Sequence, residues 1–162
     1  MSEHFNNEKV FIRSIATRGS LGGLSAKAIE AVDVMREAGF DQIIVETVGV
    51  GQSEVEIAGL ADTTVLVLVP EAGDEIQTIK SGIMEIADIF VVNKADRDGA
   101  DLFVNSLQSL VHERAPSEWT APIIKCVASR GDGVKELAEK IVEHYPLRDL
   151  SKKEKVKRFL KK

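Results

Sequence analysis

The chain has 162 residues, 44% of them hydrophobic and 29% charged, enough for one domain with a real core and ordinary for a globular protein. No apolar run approaches ~18 residues and the first residues lack a basic start with an apolar core behind it, so no membrane span or signal peptide is expected. A single cysteine, Cys126, excludes an internal disulfide and fits a reducing, cytoplasmic setting, while only 5% aromatic residues argue against base-stacking platforms for nucleic acid.

Val10-Phe11-Ile12-Arg13 reads as a short strand. A Gly-rich loop follows, Ala16-Thr17-Arg18-Gly19-Ser20-Leu21-Gly22-Gly23, without the Gly-Lys-Ser/Thr ending of a Walker A loop. Leu24, Ala28, Ala31, Val32 and Met35 recur at helical spacing before Gly39, which predicts a helix over residues 24–38. Ile43-Ile44-Val45 predicts a buried strand within residues 41–47, and a short helix is expected over residues 53–60. The near-continuous apolar run of residues 64–69 predicts a central parallel strand buried on both faces. Ile76, Ile79, Ile83 and Ile86 mark a helix into Ala87, and Ile89-Phe90-Val91-Val92 a buried strand. A helix over residues 100–113, a strand over 123–127 and a helix from Val134 to before Pro146 complete the pattern. Strands alternating with helices indicate an α/β fold, a mostly parallel sheet with helices on both faces.

Two strand ends carry chemistry. The first ends in Glu46-Thr47-Val48-Gly49, an acid followed three residues later by Gly. That is the layout of a Mg²⁺-holding carboxylate and of a glycine whose N–H approaches a γ-phosphate, with Glu46 where Asp is usual. The position after Gly49 is Val50, which cannot orient water; Gln52 is the nearest substitute. The second strand ends in Asn93-Lys94-Ala95-Asp96, which matches the Asn-Lys-x-Asp guanine-recognition motif of P-loop GTPases. Guanine presents two adjacent N–H donors, and one carboxylate, Asp96, can accept both in charge-assisted bonds. Adenine offers a bare acceptor there, and a site built for a missing group can reject it by ~10⁴-fold or more. One βα unit later, Val127-Ala128-Ser129 corresponds to the loop that gives a main-chain N–H, here that of Ala128, to guanine O6. Each motif alone also fits an ordinary strand ending in a turn.

The wording around these motifs is more specific. The runs Phe11 to Gly23 and Glu46 to Glu54 closely resemble the MeaB/ArgK family of GTPases, which chaperone methylmalonyl-CoA mutase and related B12 enzymes. The resemblance covers residues 10–150 and implies a partial P-loop NTPase (G-domain) fold. It implies GTP/GDP and Mg²⁺ as ligands, a B12-dependent acyl-CoA mutase as partner and a homodimer in the full-length family. Asp74 and Lys80 resemble the residues that couple nucleotide state to the mutase. The family's P-loop lies upstream of the Phe11 segment, and no such motif occurs in this sequence. The chain therefore reads as the C-terminal part of a G domain, residues 1–150, with 151–162 the start of a dimerisation arm. It is expected not to hydrolyse GTP alone. The alternatives are a non-enzymatic interaction fragment and an unstable gene remnant.

Residues 151–162 hold seven Lys/Arg against Glu154, net +6, which leaves −11 on the remainder and reads as a solvated basic helix rather than a nucleic-acid or membrane contact. His4, His112 and His144 have no zinc spacing and read as surface or helix-end residues; Cys126 reads as a small buried hydrophobe and Trp119 as a loop-packing residue.

Overall fold

The computed structural model describes residues 7–15, 26–47, 59–70, 81–114 and 118–148. The chain divides into two compact units, Met1–Ser53 and Glu54–Lys162.

In the first unit, α1 spans Ala26–Glu37. It stops where Gly39 takes φ 81°, a backbone conformation that costs glycine nothing. Gly39 N–H donates to Arg36 O and Phe40 N–H to Met35 O, the paired bonds of a Schellman ending. The strands expected at Val10–Arg13 and Ile43–Val45 do not form: residues 10–15 and 42–47 have no regular structure, and Phe11, Ile12 and Ile44 are largely exposed. A strand requires a neighbour for its backbone groups, and neither segment is paired among the described residues.

The second unit is built on three parallel strands in the order β1 (Val65–Leu68), β2 (Ile89–Val92), β3 (Ile123–Lys125). Val65 pairs with Ile89, and Phe90 with Ile123. Helix α2 (Ser81–Ile86) leads into β2, α3 (Ala100–His112) joins β2 to β3, and α4 (Val134–His144) follows β3 with a short 3₁₀ turn at Tyr145–Leu147.

All four residues of β2 are buried, and their alternation feeds two cores. Phe90 and Val92 pack with Met84, Phe103 and Leu107 on one face. Ile89 and Val91 pack with Ile124, Cys126, Leu137 and Ile141 on the other. Helices α3 and α4 thus cover opposite faces, as the apolar strand pattern requires. Each such side chain contributes about 1.5–3 kcal/mol on burial. The expectation that residues 64–69 form the central strand is corrected: among the described residues β1 flanks β2, and Val67 is 57% exposed. Hydrophobicity alone does not rank strands by depth; β2 is central because it has a partner on each side.

The amino ends of β1 and β2 meet in a buried polar network. Thr64 N–H donates to Asp88 Oδ2 at 2.8 Å, and Asp88 N–H returns to Thr64 O at 2.9 Å. Trp119 donates its Nε1–H to Asp88 O at 2.7 Å. His144 Nδ1 lies 2.9 Å from Thr63 Oγ1, its Nε2 3.4 Å from Asp88 Oδ1, and its ring packs on Trp119 with centroids 5.0 Å apart. His144 does end α4, but it is fully buried rather than on the surface. Trp119 packs the loop as expected, and Cys126 is buried.

Candidate functional site

At the other end of the sheet the strands deliver Asn93 and Cys126 side by side. Asn93 N–H donates to Leu68 O at 2.8 Å, Cys126 N–H to Val92 O at 2.8 Å and Ala95 N–H to Cys126 O at 3.0 Å. The ladder is thereby carried past the last paired residues, and the loop after β2 is held against the loop after β3. Asn93 Oδ1 then accepts twice, from Lys94 N–H at 2.8 Å and from Ala128 N–H at 3.1 Å. One side chain ties the two loops together across 35 residues of sequence.

Lys94 has φ 57°, left-handed for a residue with a side chain, which costs of order 1 kcal/mol or more. The surroundings enforce it. Its N–H is held by Asn93, and its carbonyl accepts from Arg97 N–H at 3.1 Å. Backbone strain of this kind concentrates at ligand sites.

The loop after β3 is equally constrained. Val127 N–H donates to Asp132 O at 3.0 Å, and Arg130 N–H to Val127 O at 2.9 Å. Gly133 closes the loop at φ 77°, and a Cβ there would collide with Lys125 O and lie 2.8 Å from Cys126 Sγ. Only glycine lets the chain pass so close to β3.

Three charges line the rim. Arg130 Nε donates to Asp132 Oδ2 at 2.9 Å, and Arg130 Nη1 reaches Asp96 Oδ2 at 3.4 Å. The Asp96 side chain is 41% exposed, so the carboxylate stays open to solvent. The hydrogen bond to Asp132 pushes the Arg130 pKa further up, which keeps the guanidinium charged. Burial pushes the Cys126 thiol pKa up, with Glu136 adding to it, so Cys126 serves as packing beneath the loop.

Of the residues singled out from sequence, Asn93, Lys94, Asp96, Val127, Ala128 and Ser129 fall within these two adjoining loops. Lys94, Asp96, Ala128 and Ser129 are exposed, and Val127 is buried, leaving only its backbone to the site. The Ala128 N–H, expected to face guanine O6, is held by Asn93 Oδ1 in this structure. Glu46 is exposed and belongs to the first unit. Gly49, Gln52, Asp74 and Lys80 lie outside the described residues. No group of three or more His, Cys, Asp or Glu among the described residues is arranged to hold a metal ion. Sequence reasoning missed Arg130, Asp132 and Gly133. The opposite charges of Arg130 and Asp132, on either side of Gly131, were the available signal, but the reach of Arg130 to Asp96 spans 34 residues.

Comparison with known proteins converges on one family. The family model for methylmalonyl-CoA mutase-associated GTPase MeaB matches residues 1–161. A Pyrococcus horikoshii protein provisionally named a GTPase is 56% identical over 148 residues, covering 89% of this chain and 47% of the relative. The GTPase ArgK of Escherichia coli is 36% identical over 148 residues, covering 88% of this chain and 45% of its own length. A crystal structure of LAO/AO transport system kinase superposes with a TM-score of 0.69 at 29% identity, over 83% of this chain and 46% of that one. The chain spans about half the length of the curated relatives it matches.

Proposed function

The chain belongs to the MeaB family of GTPases, and from that premise we propose that the loops after β2 and β3 form the base-selecting half of a GTP/GDP site. The observation that supports this most is the Asn93 Oδ1 bridge to Ala128 N–H, which draws the two loops together beside an exposed Asp96 carboxylate. Asp96 accepts the guanine N1–H and 2-amino group. O6 approaches the Ala128 N–H and shares its hydrogen with Asn93. The Lys94 stem covers one face of the base, while the backbone of Val127 and Ser129 shapes the rim. Adenine would leave Asp96 unpaired and meet a donor with a donor.

Other parts of the reading rest on the family. A nucleotide-borne Mg²⁺ needs only one or two protein oxygens beyond phosphate and water, and Glu46 is the carboxylate proposed to face it, with Gly49 at the γ-phosphate and Gln52 near the attacking water. Asp74 and Lys80 are proposed to relay nucleotide state to a B12-dependent acyl-CoA mutase, in line with the family's description. A homodimer is proposed on the same premise and a cytoplasmic location on the single cysteine, with residues 1–150 contributing to one G domain and 151–162 to a basic helix. No helix among the described residues is long and apolar enough to cross a membrane. Because these 162 residues contain no Gly-Lys-Ser/Thr motif, the proposal gives them base selection and not, by themselves, hydrolysis.

The test is a titration of the 162-residue chain into fluorescent GDP, with GTP and ATP as competitors, with and without Mg²⁺. The expected result is saturable binding displaced by guanine nucleotides only and lost in Asp96→Asn. A folded chain that binds neither, or binds both equally, would contradict the assignment and favour a protein-interaction role.

A further inference from the structure

The base-site reading leaves Arg130 without a task. Its two contacts are unequal: Nε sits 2.9 Å from Asp132 Oδ2, and Nη1 reaches Asp96 Oδ2 at the longer 3.4 Å. Its backbone is fixed as well, with its N–H on Val127 O and the Val127–Asp132 bridge closing the loop behind it. Asp132 therefore acts as the anchor, and the reach to Asp96 is the contact that can be given up.

We infer that Arg130 is a specificity-determining residue, a tethered counter-ion that holds one oxygen of Asp96 in the empty site and weakens that oxygen as an acceptor for a base with two adjacent N–H donors. The inference rests on the base-site reading above. Two donors in one plane use one carboxylate oxygen each, so a guanine base must share Oδ2 with Arg130, and an oxygen that serves two donors holds each less strongly. Hypoxanthine carries N1–H but no 2-amino group. It needs a single oxygen and leaves Oδ2 to Arg130. Adenine needs neither, and Asp96 keeps its partner. Arg130 thus lowers the advantage of guanine over hypoxanthine relative to a site in which Asp96 is free. The Arg130 and Asp96 side chains are 57% and 41% exposed, so the competition is modest and screened by salt.

The experiment compares wild type with Arg130→Gln, an exposed change that keeps side-chain length, using guanosine, inosine and adenosine as ligands so that phosphate attraction plays no part. Affinities come from ligand-detected NMR at low salt and at 0.5 M salt, on the order of a Debye length of 4 Å, with circular dichroism confirming the fold. Arg130→Gln is expected to tighten guanosine roughly two- to fivefold, the range an exposed ion pair can return. Inosine stays unchanged, and the guanosine gain shrinks at high salt. Guanosine bound equally or more weakly by Arg130→Gln overturns this inference alone, as does an equal gain for inosine. No nucleoside binding by either chain overturns the base-site reading and this inference with it.

Discussion

The two ends of strand β2 each present an aspartate, and the two are used in opposite ways. Asp88, at the amino end, is 3% exposed and enclosed by Thr64, Trp119 and His144. Asp96, past the carboxyl end, is 41% exposed and touched by one long contact from Arg130. A buried carboxylate must be satisfied within the fold, so its partners serve stability. An exposed carboxylate with spare lone pairs remains available to a ligand. The same strand thus separates structural from functional polarity, and the functional end is the one where open α/β sheets bind ligands.

The largest effect tests where that separation fails. Gly133 sits at the functional end yet packs against β3, so Gly133→Ala should cost about 3 kcal/mol or more through left-handed backbone and collision. Urea unfolding measures it, and a loss under about 1 kcal/mol would show that the loop yields easily. His144→Ala should cost about 3 kcal/mol, from the lost ring and the partners left in the core. It should leave nucleoside selectivity untouched; a selectivity change would show the ends to be coupled. Asp96→Asn should show the reverse, with stability within about 0.5 kcal/mol of wild type and guanine affinity down by about 100-fold. Smallest in consequence, Cys126 should react with a disulfide reagent about tenfold more slowly than in the urea-unfolded chain. Burial and the raised pKa keep thiolate scarce below the folded-state pKa, so the contrast should narrow as pH rises. In Gly133→Ala the native rate should increase, because the added methyl displaces the Sγ beside it.

Much of the second unit was legible because its signals are local. Ile89-Phe90-Val91-Val92 is a strand by composition alone, and α3 and α4 follow from apolar spacing that begins just after a glycine. The motif at Asn93–Asp96 announced itself by residue type and by its place after a buried strand. What escaped depends on distant partners. Ile43-Ile44-Val45 has strand composition but no pairing neighbour among the described residues. Val67 has the composition of a core residue and more than half of it faces outward. His144 reads as an ordinary helix end until Thr63, Asp88 and Trp119 surround it, and Arg130 reads as a turn residue until the fold brings it to Asp96. Periodicity carries no information about which loop faces which.

The most direct test of the division between the two ends is an amide NMR titration of the full 162-residue chain with GDP, repeated with ADP. The account predicts that GDP shifts the amides of Lys94, Ala95, Asp96, Ala128 and Ser129 and leaves those of Thr64, Asp88 and Ile89 in place, while ADP moves neither set. Shifts at the Thr64–Asp88 end, or equal responses of the Asp96 loop to both nucleotides, would contradict it.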